Sequence, residues 1–141
     1  MTAITEAIRY YIPAAPPQEI YNVVVKWGKR FGYNSRRGTS CVMINSIYNN
    51  SLYELKAKKK VRGYNIKGLN YRYEDIVISI NKGNPVVLNI YKDGRDLYNN
   101  HSILVIGYLT VGKAKMLIVH DNWYTNDAFV DYTKLSRLAS V

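Results

Sequence analysis

The chain changes character after Gly83, and this change restricts the fold more than any other feature of the sequence. Short apolar runs rich in β-branched residues follow it, separated by the segments DGRDLYNN and TVGKA. The second and third runs are almost continuously apolar, which predicts a sheet buried on both faces. Runs of this kind predict three strands, over about 85–91, 101–109 and 115–121. Residues 127–132 are a candidate fourth strand, followed by a short last helix over about 133–138.

Before Gly83, apolar residues recur at spacings of three and four, the period of amphipathic helices. Gly28 is expected to end the second helix, and Thr39 or Ser40 to cap the third. Segment 53–68 is ambiguous and is expected to form one or two short strands. The helices themselves are predicted over about 2–12, 17–27, 41–50 and 71–82.

Helices followed by an antiparallel sheet predict an α+β fold. The helical part covers about 1–82 and the sheet part about 83–132. A chain of 141 residues is long enough to bury a core without disulfides or metal, so we expect a single domain, 1–141.

Charge is the most unusual bulk property of the chain. Twenty Lys and Arg against ten Asp and Glu give a formal charge of +10, which predicts attraction to an anionic polymer or surface. The densest cluster has two interpretations, a solvated edge blunted by lysines or a polyanion site. Because no nucleic-acid-binding motif is present, nucleic acid is not the expected partner. The cluster consists of Lys56, Lys58, Lys59, Lys60 and Arg62.

Composition also excludes several classes of protein. One cysteine, Cys41, cannot form an intramolecular disulfide, and two histidines with one cysteine show no metal-ligand spacing. No metal and no cofactor are therefore expected. No apolar run approaches the ~20 residues of a membrane span, and the start of the chain shows no signal-peptide pattern.

The chemically informative segment is the predicted hairpin NHSILVIGYLTVGKAKMLIVHDNWY. A loop at 110–112 would set Asp121 opposite His101, whereas a loop at 111–112 would set Asn122 there. Either partner would orient an imidazole, as in the orienting half of a nucleophile triad. The alternative is a histidine that only hydrogen-bonds a structural neighbour. His120 points to the opposite face and is expected to be a packed or surface histidine.

These residues resemble a known family. Asn100-His101 followed by ILVIGY, a short hairpin and LIVHDNW are similar to the histidine and asparagine strands of papain-like cysteine peptidases, and GNPVVLNIY resembles their Gly-x-Pro-Val strand. Upstream, the resemblance extends to the bacteriocin-leader-processing branch. The segments that fit its helices and loops in order are TAITEAIRYY, PPQEIYNVVVKWG, RRGTS and YEDIVISINKGNPVVL.

The resemblance implies a papain-like fold, with N-terminal helices packed on a C-terminal antiparallel sheet, and peptide-bond hydrolysis by thiol acyl transfer. His101 would be the general base, Asp121 the orienting residue with Asn122 as its alternative, and Trp123 a shield against water. A peptide or protein substrate and a bacterial extracellular or cell-surface location are implied as well.

The nucleophile departs from the family pattern. On this alignment the family's Cys and its oxyanion-hole Gln would fall before Met1, so we expect a truncated product, a domain completed by another chain, or a pseudo-peptidase. Cys41 is a rival nucleophile at a predicted helix start, or else a buried structural thiol. We expect little or no activity in this chain. The alternative function is a non-catalytic binding module for peptide or anionic polymer, and an open groove would favour a homodimer.

Overall fold

The computed structural model describes residues 1–57, 63, 72–90 and 101–135. They fall into two compact units, Met1–Asn65 and Ile66–Ser140. The fold class is α+β, as predicted. The helices are α1 (Thr2–Tyr11), α2 (Pro17–Arg30), α3 (Ile44–Glu54) and α4 (Tyr73–Asn81). The strands are β1 (Val86–Ile90), β2 (His101–Val111), β3 (Ala114–His120) and β4 (Ala128–Asp131), and 3-10 turns cover Cys41–Met43 and Tyr132–Lys134.

The first unit is built from α1, α2 and α3. Each helix contributes apolar residues at helical spacing to one buried cluster, which confirms the periodicity read from the sequence. The fully buried side chains of this cluster are Ile8, Ile20, Val24 and Ile47. None of the helices in the described parts of the chain has the length and apolar composition needed to cross a membrane.

The expected end of α2 at Gly28 is wrong, because the helix continues to Arg30. Gly28 is buried inside the helix, where a Cβ atom would lie 2.8 Å from Met1 Sδ and 3.3 Å from Tyr33 Cβ. The left-handed residue that follows the helix end is Gly32, whose φ is +85°. The amide of Tyr33 donates to the carbonyl of Gly28 (2.8 Å), a Schellman ending. Gly28 therefore serves close packing, and Gly32 provides the left-handed residue.

The expected cap of the third helix is also wrong. Ser40 precedes the 3-10 turn Cys41–Met43 and makes no side-chain cap hydrogen bond, and α3 begins only at Ile44. The hydroxyl of Thr39 is buried and has no hydrogen-bond partner among the described residues. α3 then continues to Glu54, so the first residues of segment 53–68 are helical.

The second unit is a four-stranded antiparallel sheet in the order β1-β2-β3-β4, with α4 beside it. The predicted strands and the helix over 71–82 are confirmed within one or two residues at most ends. Tyr73 of α4 anchors the helix, because its hydroxyl lies 3.0 Å from Thr110 Oγ1 and donates to the carbonyl of Leu109 (3.3 Å). Lys115 of β3 reaches back to Glu74 (2.7 Å).

Burial of the sheet on both faces is correct only in part. Ile103, Leu104 and Val105 are consecutive and all buried, as expected for a covered strand. Toward the hairpin turn the outer face is open, and Leu109 and Phe129 are 46% and 61% exposed. Strands β2 and β4 therefore carry apolar side chains that this chain leaves in contact with solvent.

Several predictions lie outside the described residues. They concern the possible strands within 58–68 other than residue 63, the loop 92–100 between the first two strands, and the last helix beyond residue 135. The predicted basic cluster is affected too: Lys56 is described and exposed, whereas Lys58, Lys59, Lys60 and Arg62 are not described.

Candidate active site

The hairpin that carries the candidate site turns later than the sequence analysis assumed. Val111 pairs with Ala114, so the loop is Gly112-Lys113, and both predicted loops are wrong. Gly112 adopts a φ of +57°, the left-handed conformation that glycine accepts at a tight turn.

A β-bulge then changes the register a second time. Gly107 pairs with Ile118 but Val105 pairs with Val119, so Ile106 is an extra residue on β2. A Cβ on Gly107 would lie 3.1 Å from Ile118 Cδ1. Counting residues back from the turn does not give the residue opposite His101, because such a count assumes a strand ladder without a bulge.

The structure brings His101 next to both Asp121 and Trp123. If the register after the bulge continues beyond Leu104 and His120, Trp123 lies opposite His101. The two rings are stacked accordingly, with centroids 4.3 Å apart and planes at 26°. Nε2 of His101 is hydrogen-bonded to the backbone carbonyl of Asp121. Histidine and aspartate are thus neighbours as expected, and this hydrogen bond uses the main chain of Asp121.

That hydrogen bond determines the chemistry of the ring. A carbonyl oxygen can only accept, so Nε2 of His101 must carry the hydrogen. In the neutral imidazole the lone pair is then on Nδ1. Nδ1 is therefore the nitrogen that could take a proton from a nucleophile.

The carboxylate of Asp121 is almost fully buried, with 2% of the residue exposed. Its Oδ1 accepts hydrogen bonds from the amides of Trp123 (3.0 Å) and Tyr124 (3.2 Å). These bonds shape the segment after β3 and position the stacked Trp123. The orienting role of Asp121 and the shielding role of Trp123, which is 52% exposed, stay predictions.

Asn122 takes a different position from the one that the alternative loop gave it. Its Nδ2 donates to the carbonyl of Ser102 (3.1 Å), and its backbone φ is +65°. Its Oδ1 is buried and has no hydrogen-bond partner within the described ranges. Ser102 in turn donates its hydroxyl to Asn89 Oδ1 on β1. Ser102 and Asn89 were not among the predicted site residues, although a short polar residue in each of two otherwise apolar strands indicates a polar contact.

Cys41 lies in the first unit, whereas His101 lies in the second. Cys41 is half-buried and is the first residue of a three-residue 3-10 turn, and α3 starts three residues later. The expectation that Cys41 begins an α-helix is therefore wrong. Its role as a nucleophile stays a prediction.

His120 is a surface histidine, as expected. Its Nε2 lies 2.8 Å from Asp127 Oδ1, and both side chains are about half exposed. In the part of the chain that the structure describes, no group of three His, Cys, Asp or Glu side chains is placed to hold a metal ion.

An α+β domain with a buried aspartate beside a histidine on a strand fits the class of cysteine peptidase-like domains. A family model described as "Peptidase_C39 like family" matches residues 1–139. The chain therefore belongs to the Peptidase_C39-like family, a family of cysteine peptidase type. No curated protein and no solved structure matches the chain.

Proposed function

We propose that this chain carries the imidazole half of a thiol-peptidase site for a peptide substrate, with His101 as general base and Asp121 as its orienting residue. The observation that carries the proposal is the hydrogen bond from His101 Nε2 to the carbonyl of Asp121. With Nε2 donating to that carbonyl, the lone pair of the neutral ring is on Nδ1, and the ring is kept in one tautomer. Trp123 stacked on the ring would limit access of water to that bond.

The proposed chemistry needs one proton carrier. Nδ1 of His101 accepts the thiol proton, and the thiolate adds to the peptide carbonyl carbon. The imidazolium then gives its proton to the leaving amine as the carbon–nitrogen bond breaks, which leaves a thioester. Water, deprotonated by the same imidazole, hydrolyses the thioester and restores the thiol. Asp121 would support the cationic ring in both steps.

The nucleophile is the open part of the proposal. Cys41 is the only thiol of the 141 residues, and the family resemblance aligns another position with the catalytic cysteine. We propose that these 141 residues alone hydrolyse peptides slowly or not at all. On this proposal the imidazole half of the site is preformed, and Cys41 is not its nucleophile.

The test measures the tautomer of the His101 imidazole and the reactivity of the Cys41 thiol separately. In ¹⁵N-histidine NMR we expect His101 as the Nε2–H tautomer at neutral pH, and an Nδ1–H tautomer would overturn the proposal. Iodoacetamide should label Cys41 at the same rate in the wild type and in His101→Gln. A rate that falls at least about tenfold in His101→Gln would make Cys41 the nucleophile instead. Peptide hydrolysis that survives His101→Gln would remove His101 from the mechanism.

A second candidate function is a binding module for an anionic polymer. The first unit contains eleven Lys and Arg against three Asp and Glu. Lys29, Arg36 and Arg37 are exposed and form no ion pair with any described residue. Arg36 and Arg37 stand on a tight turn closed by a hydrogen bond from the amide of Gly38 to the carbonyl of Asn34 (2.7 Å). Unpaired cations on an ordered turn favour a polyanion site.

Elution from immobilised heparin tests this candidate. We expect Arg36→Glu/Arg37→Glu to elute at clearly lower salt than the wild type. The matched control is Lys82→Glu/Lys113→Glu, which makes the same charge change at exposed lysines of the second unit that likewise form no ion pair with described residues. Equal shifts for the two double variants would mean that only net charge matters, and the turn would not be a site.

A further inference from the structure

Three short polar residues next to the His101–Asp121 pair are linked by hydrogen bonds across β1, β2 and the segment after β3. Asn89 of β1 and Ser102 of β2 are cross-strand partners, and Asn122 follows β3. The hydroxyl of Ser102 donates to Asn89 Oδ1, and Nδ2 of Asn122 donates to the carbonyl of Ser102 (3.1 Å). The last ladder pair of β2 and β3 is Leu104 with His120. Asn122 therefore extends the connection to β2 past the end of the ladder.

This connection holds a segment that is otherwise largely exposed to solvent. From Trp123 to Asp127 every residue is exposed. Within this segment, the carboxylate of Asp121 accepts hydrogen bonds from the amides of Trp123 and Tyr124. Asp121 directly precedes Asn122 in the chain. Because the side chain of Asn122 is anchored to Ser102, the carbonyl of Asp121 cannot move far from His101 Nε2.

Asn122 also has two features that cost stability. Its φ of +65° is uncommon for a residue with a side chain, although asparagine tolerates it better than most. Its Oδ1 is buried without a hydrogen-bond partner in the described ranges. Strain and an unsatisfied polar atom that persist next to a candidate site point to a local functional requirement.

We propose that Asn122 is a positioning residue: by holding the segment after β3 on the carbonyl of Ser102, it keeps the carbonyl of Asp121 on His101 Nε2 and so sets the tautomer of the imidazole. This role differs from the expected one, in which the Asn122 amide itself would face His101. Its catalytic meaning rests on the proposed function, but the tautomer can be measured without activity.

The test compares two glycine substitutions in the same segment. Asn122→Gly removes the donor, the unsatisfied Oδ1 and the positive-φ strain together, so the fold should remain intact. Asn126→Gly adds the same backbone freedom at an exposed residue that makes no hydrogen bond with its side chain to described residues. In ¹⁵N-histidine NMR, Asn122→Gly should lower the ratio of Nε2–H to Nδ1–H tautomer by about fivefold, the equivalent of one ordinary hydrogen bond. Asn126→Gly should leave that ratio unchanged.

Asn122→Asp is a second variant that also loses the donor but keeps a side chain that tolerates positive φ, and it should give the same shift. An unchanged ratio in both Asn122 variants, or an equal shift in Asn126→Gly, would overturn the positioning role. A wild type found as Nδ1–H would instead overturn the proposed function, so the two failures are distinguishable. The thermal midpoint of each variant, measured on the same samples, separates an altered ring from an unfolded chain.

Discussion

Eleven Lys and Arg and three Asp and Glu lie in the first unit, Met1–Asn65, whereas Ile66–Ser140 contains nine and seven. The positive charge of the chain is therefore mainly a property of the helical unit. The histidine, its aspartate and the stacked tryptophan all lie in the nearly balanced unit. The comparison teaches that the high isoelectric point carries no information on the imidazole site, and that charge and candidate chemistry should be tested separately.

The two units also differ in how their polar groups are used. In the first unit, Glu54 accepts from Lys26 Nζ (2.8 Å) and from Trp27 Nε1 (2.9 Å) at the surface. The hydrogen bond from Lys26, with that from Trp27, lowers the pKa of Glu54. An exposed group of this kind contributes little to stability. In the second unit, hydrogen bonds from side chains reach backbone carbonyls across strands, and they hold the candidate site.

The largest expected loss of stability distinguishes the buried face of the sheet in the second unit from its open face. Leu117→Ala removes a fully buried side chain and should lower the free energy of unfolding by about 3 kcal/mol. Leu109→Ala removes the same atoms from a side chain that is 46% exposed and should cost about 1 kcal/mol or less. Urea unfolding measures both. Equal losses would show that the outer face is covered in solution.

The next largest loss of stability is expected from alanine substitution at one glycine in each unit. A Cβ on Gly63 would lie 2.6 Å from Cδ1 of Tyr48, which is part of a rigid ring. Gly63→Ala should therefore lower the free energy of unfolding by about 2 kcal/mol. On Gly107 the nearest atom is the flexible tip of Ile118 at 3.1 Å, so Gly107→Ala should cost less than about 1 kcal/mol. Thermal unfolding of the two variants gives the order. A larger loss at Gly107 would contradict it.

The smallest effect is a pH dependence of the first unit. Burial, with the nearby charge of Tyr11, raises the pKa of Tyr48 well above its ordinary value. The unfolded phenol ionises near pH ~10 while the folded one stays neutral, so stability is complete below that pH and falls as the pH rises. The loss should stay below about 1.4 kcal/mol for the first pH unit above it.

Tyr48→Phe should reduce this alkaline loss, which urea unfolding at a series of pH values measures. Tyr53→Phe is the control, because Tyr53 belongs to the same helix and is 87% exposed. An identical alkaline slope in the wild type and both variants would assign the loss to other groups.

Much of the fold could be predicted because apolar spacing is a local property. The helical periods of α1 and α4 and the three apolar runs of β1, β2 and β3 identified these elements directly. The end of α2 and the start of α3 could not be predicted in the same way. Gly28 and Gly32 are the same residue type, and only the packing of Met1 and Tyr33 shows which of them lies inside the helix.

The candidate site was predictable at the level of residues and not of atoms. A hairpin that begins with His101 and ends near Asp121 brings the two together for almost any short turn. The turn at Gly112-Lys113 and the bulge at Ile106 depend on packing between strands, which no single run reveals. That the partner atom at Nε2 is a backbone carbonyl, and that Asn122 bonds to Ser102, follows only from those irregularities.

The bulge gives β2 tolerance to a change in length. Since Ile106 has no partner of its own on β3, the strand could lose one residue between Ser102 and Ile106 and close the bulge. The side chain of His101 would then still point to the same side, whereas in an unbulged strand the same deletion would turn it over. Relatives with a β2 one residue shorter could thus keep the imidazole in place.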